Sequence, residues 1–213
     1  MDLLSVNVIF VLVILVFSAI LHEVAHGWIA DRLGDPTARL RGRLTLNPIP
    51  HIDPIFTILM PLLVFFASQG SFIFGGAKPV PVDPFNLRDG RKDMSIVALA
   101  GPGTNLLIAL LIAGFIHILS SVGMTSFEIY QILRTVVGIN LLLAIFNLLP
   151  IPPLDGSKVF SLFLTDRQAA SYLSIGSMGI FILFFLLLFP IGGFSLGSIV
   201  FNLLEFSMRL LGL

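Results

Sequence analysis

The sequence predicts an all-α polytopic membrane protein of about five transmembrane helices, with one re-entrant segment and a short β-hairpin-like region. Three observations predict it. The chain is 56% hydrophobic and only 11% charged, with a mean hydropathy of +1.03. Several uncharged runs approach the ~20 residues that span a bilayer. Cysteine is absent, which excludes disulfides and thiol ligands. The balance of 12 Lys and Arg against 12 Asp and Glu leaves no basic footprint for nucleic acid. The chain reads as a single integral-membrane domain over residues 1–213, and no internal repeat is visible.

The first helix is expected over about Val6–Ala30. Its uncharged run, Leu3 to Leu21, has no basic flank before it and continues directly into polar residues, so it reads as a retained span rather than a signal peptide. Trp28, Asp31, Arg32 and Gly34-Asp35-Pro36 mark its end. Ile55–Phe74 is apolar but broken by Pro61 and by Ser68-Gln69-Gly70-Ser71. Residues 75–93 hold Pro79 and Pro81, which exclude a helix interior and suggest extended chain and turn. Spans follow at Met94–Leu119, Ile129–Leu149 and Tyr172–Pro190, with a shorter, tilted or partial one at Leu196–Leu211.

Lys and Arg give the orientation. Asp2 is the only charge before the first helix, whereas Arg32, Arg39, Arg41 and Arg43 follow it. The N-terminus is therefore expected outside and residues 31–54 in the cytoplasm. Lys78, Arg88, Arg91 and Lys92 form a second basic cluster. Both clusters stay cytoplasmic only if Ile55–Phe74 enters and leaves on the same side. Lys158 and Arg167 then also fall inside, and only Arg134 sits awkwardly, near the outer end of its helix.

Inside the first apolar run stands "HEVAH", residues 22–26, an H-E-x-x-H pattern. Positions i and i+4 share a helix face, so His22 and His26 can grip one ion, and Glu23 lies beside them to act on a water. With four His and three Glu in the chain, chance would produce the pattern about 0.001 times, which favours a metal site over two satisfied core histidines. Ionisable residues at membrane depth point the same way.

A catalytic zinc takes three protein ligands and keeps one open position. The soluble continuation of the motif needs Gly at 29 and His at 32, where this chain has Ile29 and Arg32, and the next glutamate is Glu128. A distant acid remains. "NLLPIPPLDG", residues 147–156, offers Asp155 where prolines unwind a helix end, although the same residues also read as a plain turn. His22 lies ten residues before Arg32, roughly 15 Å inside the cytoplasmic boundary, and two crossings after a re-entrant 55–74 bring Asp155 to that side. His51 and Asp53 are expected there too, as supporting partners, an alternative ligand pair, or simply a loop turn.

"HEVAH" in a first helix, "AGPGTN" at residues 100–105, "GAKPVPV" at 76–82 and "NLLPIPPLDG" together resemble the site-2 protease family of intramembrane zinc metalloproteases. The likeness covers residues 20–156 and is to the small prokaryotic members without a PDZ domain. It implies one Zn2+ per chain held by His22, His26 and Asp155, Glu23 as general base, and Asn147 stabilising the oxyanion or holding substrate. It implies a metal-site core over about 6–156 with C-terminal helices at about 171–211, a transmembrane protein as substrate, and a cell-membrane location with the site towards the cytoplasm. The hairpin-like "GGAKPVPV" offers an edge for strand addition by an unwound substrate, by analogy of mode. Gly101, Pro102 and Gly103 suit close helix packing, and Asn105 and Asn140 polar contacts between helices. Two rivals are a metal-binding membrane carrier, against which the absence of a repeat argues, and a catalytically silent chaperone, against which the intact His22, Glu23, His26 and Asp155 argue.

Overall fold

The computed structural model describes residues 3–59, 62–63, 66, 77–189 and 195–213. The chain forms two compact units, Met1–Arg88 and Asp89–Leu213. Among the described residues all regular structure is helical.

In the N-terminal unit, α1 (Leu3–Arg32) extends beyond its expected limits by three residues at the start and two at the end. It stops in a Schellman turn: Gly34 takes φ +113°, and the N–H groups of Gly34 and Asp35 donate to Asp31 and Ala30 at 3.3 and 2.9 Å. Arg32 lies 4.8 Å over the ring of the exposed Trp28, an arrangement suited to a membrane interface. Asp35 is wholly buried and acts as a hub. It accepts from Thr37 N at 3.1 Å, from the Thr37 hydroxyl, from Asp83 N at 2.7 Å and from Asn86 Nδ2 at 3.0 Å. Burial alone would raise its pKa, but these donors together hold the carboxyl below its ordinary value. A short helix, α2 (Thr37–Leu40), packs against α1. A 3-10 turn at Ile49–His51 and a π-helical turn at Pro54–Leu59 follow.

Residues 77–83 are extended but have no strand partner among the described residues. Pro79 and Pro81 carry no N–H, and the N–H groups of Lys78, Val80 and Asp83 are spent on His51 O, Glu23 and Asp35. That is why the expected hairpin-like pairing is not formed over this stretch. Gly75 and Gly76, and most of the Ile55–Phe74 segment expected to re-enter, lie outside the described residues.

The C-terminal unit is built on α3 (Gly90–Ser121) and α4 (Phe127–Asn147). Val97, Gly101, Asn105, Ala109 and Ala113 recur every four residues along α3 and are all buried. Asn105, Ala109 and Ala113 of this row meet α4, the first through Asn140 and the other two beside Val137 and Leu141. The core comprises Ala109, Ala113, Ile116, Val137, Leu141 and Met208. Asn105 Nδ2 donates to Asn140 Oδ1 at 2.9 Å, and Asn140 Nδ2 to Val136 O at 2.9 Å, the interhelical contact the sequence suggested. Among the described residues four further α-helices follow: α5 (Asp155–Phe160), α6 (Asp166–Leu173), α7 (Gly179–Leu188) and α8 (Leu196–Leu210).

Tyr172–Pro190, expected as one span, is divided. A turn at Gly176–Met178, with Gly176 at φ +47°, separates α6 from α7. Among the described residues three helices, α1, α3 and α4, are long and apolar enough to cross a membrane. At 10 and 15 residues, α7 and α8 fall short of the ~20 that a perpendicular crossing needs.

Candidate metal and catalytic site

His22 and His26 lie one turn apart on α1 and both are buried. Their Nε2 atoms are 3.0 Å apart, with the rings edge-on at 86° and centroids 4.6 Å apart. Two nitrogen ligands at ~2.0–2.1 Å from a tetrahedral zinc stand about 3.3 Å apart. The pair therefore fits a shared metal: the two Nε2 atoms stand close to the separation that two ligands of one zinc require.

Glu23 is held from outside the helix. Its Oε2 accepts the N–H of Val80 at 2.7 Å. Gly27, four residues on and so on the same helix face, makes the approach possible. A Cβ there would meet Leu44 Cδ2 at 2.7 Å, Val80 Cγ1 at 2.8 Å and Ala38 Cβ at 2.9 Å. His51, whose carbonyl takes the Lys78 N–H, is fully buried. Its Nε2 lies 2.9 Å from Thr45 O, which makes that nitrogen the protonated one in the neutral ring, and Nδ1 has no hydrogen-bond partner among the described residues. Burial pushes the His51 pKa below its ordinary value. The Thr45 carbonyl opposes this, Arg43 adds to it, and the Glu23 charge opposes it. The net direction favours neutral imidazole at pH 7.

In the C-terminal unit, Asp155 opens α5 and is buried, with Lys158 Nζ 3.0 Å from its Oδ1. The loop that delivers it is clamped along its length. Tyr172 donates its hydroxyl to Pro150 O at 2.7 Å. Ser95 on α3 donates to Lys158 O at 2.8 Å and fixes α5. Gly156 and Gly179 lie so close to the loop that a Cβ on the first would overlap the Leu148 carbonyl oxygen, and one on the second the Pro152 carbonyl oxygen. Both obstacles are main chain and cannot rotate away. Gly179→Ala is accordingly expected to destabilise the unit by about 1–3 kcal/mol, the range for overpacking, measured as a fall in melting temperature. An unchanged melting temperature would show that the loop is not clamped there. Asn147 is the last residue of α4, and its Nδ2 donates to Leu143 O at 3.0 Å. That bond uses one of the two N–H groups on Nδ2, and the second is the donor an oxyanion could take.

Comparison with known proteins adds the family. The description "Peptidase family M50" matches residues 112–190, which include Asn147 and Asp155. A protein named "Putative zinc metalloprotease YwhC" from Bacillus subtilis is 33% identical over 88% of this chain and 84% of its own length. The chain belongs to peptidase family M50. Proteins named "Putative zinc metalloprotease Rip2" are also similar. The one from Mycolicibacterium smegmatis is 31% identical over 85% of this chain and 68% of its own. The one from Mycobacterium tuberculosis H37Rv is 34% identical over 70% and 55%. No solved structure matches. With its apolar spanning helices, this family M50 chain is a multi-pass membrane protein.

Sequence reasoning missed two residues beside these motifs. Lys158 is one turn beyond Asp155, a spacing at which a lysine can reach a carboxylate, and that signal was available. Val80 acts through its main chain, so its side chain carries no mark. The only trace is the alternation Lys78-Pro79-Val80-Pro81, which leaves N–H groups on one side of an extended chain.

Proposed function

We propose that this chain is an intramembrane zinc metalloprotease in which His22, His26 and Asp155 hold the metal, Glu23 is the general base and Asn147 donates to the oxyanion. Membership of peptidase family M50 makes peptide-bond hydrolysis the activity and zinc its metal. The observation that carries the reading is the buried His22–His26 pair with its nitrogens converging at 3.0 Å beside a carboxylate that is not needed as a ligand. The ligand role of Asp155 is supported by its placement in "NLLPIPPLDG" and by the need for a third protein ligand. When bound, zinc acidifies a water and polarises the scissile carbonyl. Glu23 takes the proton of the attacking water and passes it to the leaving amine. The second amide proton of Asn147, the one not given to Leu143 O, meets the developing oxyanion.

The substrate in this reading is a peptide bond within or next to a transmembrane segment, since a base on an apolar helix serves a chain that reaches membrane depth. The finer topology belongs to the same reading: one peptidase domain over both units, about five crossings, residues 55–74 re-entrant, the N-terminus outside and the site towards the cytoplasm. Its support is the placement of Lys and Arg. Purified protein is expected to carry one zinc per chain. Chelation should abolish cleavage of a quenched fluorescent peptide containing an apolar span, and added zinc should restore it. Full cleavage by protein shown to be free of metal would overturn the proposal.

A further inference from the structure

We propose that the main-chain N–H of Val80 is a positioning group for the general base, presented to Glu23 by a proline-stiffened strut formed by residues 78–86. The proposal rests on the reading of Glu23 as proton acceptor.

A glutamate on a helix surface has several rotatable torsions, and a proton acceptor needs one oxygen held in one place. Here Oε2 of Glu23 is tied to Val80 N at 2.7 Å, which leaves Oε1 as the oxygen that receives the proton. A charge-assisted bond of this kind is strong as well as directional. The donor is fixed by the construction of the segment. Lys78, Val80 and Asp83 supply the N–H groups that enter the unit, and each of the three precedes a proline. A residue before proline is confined to extended backbone, and Pro79 and Pro81 lock φ on either side of Val80. The donor row is therefore set before any contact forms.

Both ends of the strut are anchored. At one end Lys78 N donates to His51 O at 2.7 Å, and Arg43 Nη2 donates to Lys78 O and Pro79 O at 2.8 and 3.3 Å. At the other, Asp83 N and Asn86 Nδ2 reach the buried Asp35. Between them Val80 sits over Gly27, where the missing Cβ makes room for it. A plain connector needs neither a glycine seat in the helix that carries the base nor anchors on both sides of one N–H.

Two variants separate the donor from the side chain. Val80→Pro removes the N–H and keeps bulk and extended backbone, while Val80→Ala keeps the N–H and loses packing over Gly27. With the quenched spanning peptide as probe, Val80→Pro should have a kcat about 10- to 100-fold below that of Val80→Ala, the range for a lost hydrogen bond to a charged group. KM should stay within about twofold and zinc content should be unchanged, a split that general unfolding would not give. Independently of activity, deuterium exchange in the peptide 77–83 should speed up at Val80 in Glu23→Ala relative to wild type. Equal kcat in the two Val80 variants, or unaltered exchange at Val80 in Glu23→Ala, would overturn the strut. Wild-type cleavage by Glu23→Gln would instead overturn the general-base reading, so the two failures are distinguishable.

Discussion

Replacing Glu23 with glutamine is expected to lower cleavage by about 10²–10⁴-fold, the range for losing a general base, with zinc content and melting temperature unchanged. The substitution keeps size and shape. The glutamine retains a carbonyl oxygen that can accept from Val80 N, which now donates to Glu23 Oε2 at 2.7 Å, so the strut stays seated. What is lost is the capacity to accept a proton. On the barrier this amounts to about 3–5 kcal/mol. Asn147→Ala should also keep its zinc and lose a smaller part of the rate, through the oxyanion. The membrane-carrier alternative forecasts the opposite, because neither change removes a ligand and metal flux would persist. Wild-type cleavage by Glu23→Gln would end the role assigned to Glu23 between its two histidines.

What could be read in the sequence follows the range of the forces involved. α1, α3 and α4 were visible because a long apolar run is a one-dimensional signal. His22, Glu23 and His26 were visible because a helix converts spacing into a shared face. The division of Tyr172–Pro190 was harder. Its apolar content looks continuous, while the break depends on Gly176 in a left-handed turn and on the close approach of Gly179 to Pro152. The expectation of extended chain and turn over residues 75–93 read Pro79 and Pro81 correctly as a bar to helix. It could not foresee that Glu23, His51 and Asp35 would take the N–H groups a strand partner would need. Those acceptors lie 27 to 57 residues away in the chain, and no local pattern encodes the meeting.

On the proposed ligand set, Asp155→Ala is expected to weaken zinc binding by more than the 10- to 100-fold typical of an outer partner. His22→Ala and His26→Ala should do the same, since each leaves the other Nε2 without the partner now 3.0 Å away. Zinc content after dialysis against a graded chelator reads the effect directly. A second readout is thermal. A ligand bound only to the folded state raises stability by RT ln(1 + [L]/Kd), so wild type should melt higher with zinc and Asp155→Ala should not. The zinc-free melting temperatures provide the control. Asp155 is buried, with the partly exposed Lys158 at 3.0 Å, and removing the carboxylate breaks that ion pair, so a zinc-independent change in stability is expected as well. The diagnostic quantity is therefore the zinc-dependent increment rather than the absolute melting temperature. Full zinc affinity in Asp155→Ala would remove Asp155 from the ligand set. The search would then move to the N-terminal unit, where the buried Nδ1 of His51 has no hydrogen-bond partner among the described residues.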